Sequence, residues 1–273
     1  MSIAVSRVEK PVAPPKPWTR TRYVGWALIG LWGVLIGGLA LWMVQAWNPE
    51  LFDKYYPKYV SGLIITIELV IASIILGALL SFPLAMMRMS KSKILNGISY
   101  AYVYFFRGTP LLAQTFLVYY GLGEFRPQME AIGLWWFFKE AWNCGVFAFT
   151  LNTAAYQAEI LRGAIESVNK GQWEGAASLG IPKWLTFFRI ILPQAFIVAL
   201  RPYGNEIILM IKGSAVVAII TVYDLMGETR RAYARSFDFQ TYIWAAMIYF
   251  SIVTSMQYLW DAMEKRITRH LIR

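Results

Sequence analysis

Apolar residues run along this chain in stretches far longer than a soluble core needs, separated by short polar breaks. A run of roughly 20 mainly apolar residues crosses a hydrocarbon layer of about 30 Å. The pattern predicts six spans, at 23–44, 63–87, about 110–122, 147–165, about 194–211 and 242–263. The second carries Ala72, Ser73, Gly77, Ala78 and Ser81 at intervals that let another helix approach closely. Residues 94–106 are aromatic and partly amphipathic, which predicts an interfacial helix. The break at Arg107-Gly108-Thr109-Pro110 predicts a new helix with Thr109 as its cap and Pro110 in its first turn. Residues 48–59 read as a short external loop, 123–142 as an outer loop on the interface, and 213–241 as a mixed segment of short apolar pieces. Residues 1–22, with Pro11, Pro14, Pro15 and Pro17 among basic residues, are expected to be a disordered tail, and 264–273 form a second basic tail.

One polar, glycine-punctuated stretch stands out. In residues 167–193, Gly171 is expected to turn the chain out of the fourth span. Residues 173–179 should form a short helix that Gly180 ends, with Pro182 just beyond, and 184–192 should return to the membrane. The result is a helix, turn and helix projecting from the bilayer.

Composition narrows the class. With 58% hydrophobic and only 15% charged residues, the chain has too much apolar surface for a soluble globule and reads as an all-α polytopic membrane bundle without a separate soluble domain. The formal charge of +10 lies beside the spans, so topology explains it better than nucleic acid does. With the amino terminus inside, inner segments together with Arg162 at the inner edge of the fourth span hold 16 of the 26 Lys and Arg residues and outer segments 7, as the positive-inside bias requires. Both termini and the stretch 167–193 are then cytoplasmic. The first apolar stretch is longer than a signal-peptide core and reads as a retained helix. Cys144 is the single cysteine, which excludes an intrachain disulfide, and it reads as inert packing. His270 is the single histidine, and phosphate-loop and metal-ligand spacings are missing, so neither catalysis nor a metal site is expected.

Ionisable groups inside spans are costly and default to functional candidates. Glu68, Glu159, Glu206 and Lys212 qualify, of which Glu68, near the outer end of its span, reads as interfacial. Helical spacing puts Asn152, Tyr156 and Glu159 on one face of the fourth span, while Asn205 and Glu206 open another in the fifth. These five are expected to line a path for a cationic or zwitterionic solute. The alternative is a salt bridge from Glu206 to Lys212 or Arg201. Arg107, at the inner mouth, is either a gate or a snorkelling side chain.

Glu174, Ala176, Gly180, Ile190, Leu192 and Pro193 resemble the E-A-A, then G, then I-x-L-P signature of permease subunits of bacterial type I ABC importers. Gly175 departs from it, standing where the family usually has alanine. Phe106-Arg107-Gly108-Thr109-Pro110-Leu111-Leu112, Leu151-Asn152-Thr153-Ala154-Ala155-Tyr156, Ala158-Glu159-Ile160 and Tyr203-Gly204-Asn205-Glu206 are similar to the branch that imports polar and basic amino acids and opines, the histidine, arginine, octopine and nopaline permease type. The resemblance covers about 61–273. It implies a permease domain at 61–263 with a cytoplasmic coupling loop at 167–193, and leaves 23–46 as an additional peripheral helix. It further implies a bacterial inner-membrane location and alternating access. The implied partners are two ATP-binding subunits that carry ATP and Mg, a second permease chain, homologous or identical, and a periplasmic substrate-binding protein, all among membrane lipids. No cofactor is expected in this chain. Coupling to the ATPase would rest on Glu174, Ala176 and Gly180, with Trp173, Leu179, Ile181 and Trp184 as apolar anchors. An ATP-independent secondary transporter or channel is the alternative, and it would have no need of the coupling signature.

Overall fold

A computed structural model describes residues 18–269, and among them every regular element is helical. The first part of the tail expected to be disordered, and the end of the carboxy-terminal tail with His270, lie outside the described residues. The chain divides between Leu51 and Phe52 into two compact units.

The first unit holds α1 (Arg20–Gln45), which the Thr19 hydroxyl caps by accepting the Arg22 N–H. None of its residues is buried within the protein, and a helix of this length, apolar on every side, suits a lipid surround. After it, residues 48–59 are not the loop that the sequence suggests. Asn48 Oδ1 accepts the Leu51 N–H at 3.1 Å, and α2 (Pro49–Arg88) starts with proline in its first turn. Tyr55, Tyr59 and Gly62 are buried along one stripe, a helical spacing hidden by the surrounding charges.

In the second unit, α3 (Lys93–Gly108) begins at a Ser92 cap. Thr109 caps the end of that helix rather than the start of the next: its hydroxyl donates to the Phe105 carbonyl at 2.8 Å. The third expected span is a broken run of α4 (Leu111–Phe116), a π turn at Leu117–Gly121 and α5 (Leu122–Glu124). The expected outer loop contains α6 (Arg126–Ala131) and α7 (Trp135–Phe138). Next, α8 (Ala141–Ser167) leads into α9 (Lys170–Ser178) and α10 (Lys183–Thr186), from which a π turn continues into α11 (Leu192–Gly213). A 3-10 turn at Ser214–Ile220, α12 (Leu225–Ser236) and α13 (Gln240–Thr268) complete the chain.

Arg20–Gln45, Pro49–Arg88 and the run Lys183–Ile220 are long and apolar enough to cross a membrane. The helices α8 and α13 have 27 and 29 residues, about 40 Å at 1.5 Å per residue. In α8 the polar positions Asn152, Thr153 and Gln157 are buried against other helices.

Two apolar clusters hold the second unit together. One joins Leu69, Phe149, Ile208 and Ile220, around the middle of α2. The other joins Leu84, Leu161, Ile165 and Ile191, near its end, with Trp173 of α9 packed against it. Small residues bring the helices close between these clusters. A Cβ on Gly77 would lie 2.4 Å from the Thr153 side chain, and one on Gly204 would lie 2.2 Å from the Trp260 indole, so only glycine fits either crossing. Cys144 is fully buried, its Sγ donating to the Phe138 carbonyl.

Candidate functional site

Where α3 breaks, Gln114 and Asn152 close the gap. Gln114 Nε2 lies 2.9 Å from the Phe106 carbonyl and 2.7 Å from Thr109 Oγ1, while Asn152 Nδ2 lies 3.0 Å from both the Phe106 carbonyl and Gln114 Oε1. These amides satisfy carbonyls that Pro110, lacking an N–H, leaves open. Asn152, which the helical spacing put on a path-lining face, is buried in this contact. Sequence reasoning passed over Gln114; the signal for it was a polar residue one turn after a proline break inside an apolar run.

The break fixes Arg107 beside α8. Its guanidinium lies 5.2 Å from the Tyr156 ring centre and 4.0 Å from Glu159 Oε2. Two neighbouring cavities, of about 380 and 420 Å³, share Arg107, Tyr156 and Glu159 in their walls. Glu159 is not waiting for a cation. Arg88 Nε lies 2.9 Å from its Oε1 and Arg162 Nη2 lies 2.8 Å from its Oε2, while Arg162 also reaches Glu166 at 2.6 Å. The i, i+3 and i, i+4 spacing of Glu159, Arg162 and Glu166 was visible in the sequence. Arg88 was not, because it arrives from α2. Three arginines therefore face two carboxylates, and Arg107, with 44% of its side chain exposed, is the charge that the shared wall presents.

Glu206 sits behind this wall. Thr153 Oγ1 donates to its Oε1 at 2.8 Å, and Gln157 Nε2 lies 3.1 Å from Thr153 Oγ1 and 3.2 Å from the Ile74 carbonyl, linking α2, α8 and α11. Among the described residues, neither expected ion pair of Glu206 is formed: Lys212 is exposed, and Arg201 pairs with Glu264 at 3.0 Å. The five residues from Arg201 to Glu206 rotate α11 by about 140° beyond a full turn, which puts the two on different sides and was implied by their spacing. Asn205 is exposed on α11, beside the buried Glu206 rather than on its face, and Glu68 is exposed on α2.

The polar stretch folds as a capped projection. Asn169, not Gly171, turns the chain, its Oδ1 accepting the Gly171 N–H at 2.8 Å. At the other end, Gly180 has φ +69°, its N–H bonds the Ala177 carbonyl, and the Ile181 N–H bonds the Ala176 carbonyl. This pair of bonds closes a helix through a left-handed residue, which only glycine adopts without cost. Ala176 is buried and Trp173 is half-buried against Phe187, whereas Leu179 is 79% and Trp184 is 66% exposed. Glu174 is exposed, Ile181 half-buried. The outward anchors are thus Leu179 and Trp184, and the inward ones root the helix.

Residues 73–269 match the family described as "Binding-protein-dependent transport system inner membrane component". The chain is 40% identical over 204 residues, 74% of its length and 85% of the relative, to the nopaline transport system permease protein NocM of Agrobacterium fabrum. It is 34% identical to the arginine ABC transporter permease protein ArtM of Haemophilus influenzae, over 80% of this chain and 95% of that one. A crystal structure of an amino acid ABC transporter with histidines superposes with a TM-score of 0.72 at 34% identity, covering 81% of this chain and 99% of that one. The chain therefore belongs to the inner-membrane component family of binding-protein-dependent transport systems, as a permease subunit of an ABC importer and not its ATPase.

Proposed function

We propose that the chain conducts a cationic or zwitterionic amino-acid-like solute, of the arginine or opine class, by alternating access around the wall formed by Arg107, Tyr156 and Glu159. The observation that carries this reading is that Glu159 is neutralised within the chain while Arg107 stays exposed between two cavities. A solute carboxylate pairs with Arg107, and its cationic end is met by Glu206 and Asn205 as the path opens. Asn152 positions Arg107 by holding the helix break. The names of relatives that carry nopaline, octopine and arginine support the solute class.

In this reading two ATP-binding subunits, which hold ATP and Mg, dock on α9 and α10 through Glu174, Leu179, Ile181 and Trp184. Closure of those subunits moves the spans as rigid bodies. A second permease chain completes the path and an external binding protein delivers the solute. Both termini and α9 lie in the cytoplasm, 61–263 is the transporting domain, and the helix at 23–46 is an addition to it.

Reconstitution of the assembled transporter into vesicles tests the reading. Uptake of radiolabelled arginine should require ATP and the binding protein, and Arg107→Gln should raise the KM for uptake with basal ATP hydrolysis retained. Uptake that continues without nucleotide would replace it with an ATP-independent transporter.

A further inference from the structure

The seven Lys and Arg residues assigned to the outer side run against the positive-inside bias, and three of them fall in six consecutive positions of α12, as Arg230, Arg231 and Arg235. The helix is firmly seated. Asp224 caps it by accepting the Gly227 N–H at 2.8 Å, the Leu225 N–H bonds Thr66 Oγ1 of α2 at 3.1 Å, and Gly62 meets the Asp224 carbonyl so closely that a Cβ would lie 2.8 Å from it. Because α11 leads away from the α9 and α10 projection into this segment, α12 lies at the opposite end of the transporting unit.

One face of α12 is built for packing, with Leu225, Thr229 and Ala232 buried, and the other is cationic. Arg230 and Arg235 are exposed, and Arg231 stacks 5.1 Å over the Tyr223 ring. A cavity of about 440 Å³ opens between Arg230, Arg231, Tyr223, Tyr233 and Tyr242. Glu228, buried beneath, takes one Arg231 contact at 3.4 Å and offsets one of the three charges. Exposed aromatics continue the surface: Tyr223, Phe239, and Phe237, which is 81% exposed at a left-handed φ of +54°. Arginine with tyrosine and phenylalanine on a rigid support is the composition of protein–protein contact centres.

We propose that this face of α12 is the docking surface for acidic side chains of the external binding protein, with Arg230 and Arg235 as the steering charges and the tyrosine-lined cavity as the seat of one inserted carboxylate. The inference rests on the orientation proposed for the transporter. Charge selects the occupant. A second copy of this chain would bring like charges together, and the strong anionic surface potential of a membrane belongs to the cytoplasmic leaflet. The family description names a binding protein as the dependency, and opposite charge raises the rate of such an encounter.

The test uses the assembled transporter in vesicles of neutral lipid, with its own solute-loaded binding protein titrated in. The double variant R230E/R235E should raise the binding-protein concentration for half-maximal ATP hydrolysis at least tenfold at low salt and less at high salt. Basal hydrolysis should be unchanged, and R230K/R235K should stay near the wild-type value. An unchanged half-maximal concentration overturns the proposal. So does a shift that appears only with anionic lipid, which assigns the face to head groups, or a change in permease–permease association by light scattering, which assigns it to a second chain. Orientation is read separately, from Arg235→Cys and a membrane-impermeant maleimide on intact cells, with buried Cys144 as the only other thiol. Labelling only after lysis overturns the topology and the docking surface with it. Labelling of intact cells with an unchanged titration overturns the docking surface alone.

Discussion

The guanidinium of Arg88 lies 2.9 Å from the carboxylate of Glu159, joining the end of α2 to α8 across 71 residues of sequence. Both side chains are largely shielded, at 15% and 13% exposure, so the pair is worth more than a surface ion pair. Arg88→Ala should destabilise the protein by about 1–3 kcal/mol, the usual cost of removing a hydrogen bond to a charged group, with Arg162 still on Glu159. Glu159→Gln in the same background should recover part of that loss. Thermal unfolding of the four members of the double-mutant cycle measures the coupling, and additive effects would show that Arg162 alone holds Glu159.

Glu206→Gln keeps an acceptor for the Thr153 hydroxyl, so assembly and thermal stability should be retained. Uptake of cationic solutes should fall at least tenfold. Since Lys212 is exposed and makes no ion pair with Glu206 among the described residues, Lys212→Met should leave the defect in place. Lowered stability in Glu206→Gln, rescued together with uptake by Lys212→Met, would return Glu206 to a structural role.

In the projection, Trp184→Ala removes an outward anchor and Trp173→Ala removes an inward one. The first should weaken retention of the ATP-binding subunits without changing the melting temperature; the second should lower it. Gly180→Ala, forced to φ +69°, should cost about 1 kcal/mol. Equal retention of the ATPase by Trp184→Ala, measured by co-purification, would remove the exposed face from the docking surface.

Burial pushes the Asp224 carboxyl from an ordinary 3.8 up to about 6, partly opposed by the Gly227 N–H and other backbone donors. The folded protein then holds this proton more tightly than the unfolded chain, and the ionised form is penalised. Stability from this group is fully present below about pH 4 and is lost as pH rises to about 6, each tenfold difference in proton affinity being worth roughly 1.4 kcal/mol. Asp224→Asn, which still caps a helix, should flatten the melting temperature across that window. A profile identical to wild type would place the titration elsewhere.

The sequence by itself determined what depends on near neighbours along the chain. Apolar run length located the long helices, and Gly180 followed by Pro182 located the end of α9. The E-A-A and I-x-L-P residues fixed the family, since they lie within one contiguous segment. Local signals competed at two helix boundaries. Charges at 50–58 masked the Asn48-Pro49 start of α2, and Thr109 suits either end of a helix. Tertiary structure alone decided which faces meet. Helices apolar on every side carry little periodic signal about their rotation, so Arg88 with Glu159, Thr153 with Glu206, and Asn152 with the Phe106 carbonyl were unreadable from spacing. The pairing of Arg88 with Glu159 goes with the close crossing at Gly77, where the absence of a side chain lets Thr153 in and brings α2 against α8, so that polar groups farther along both helices find partners.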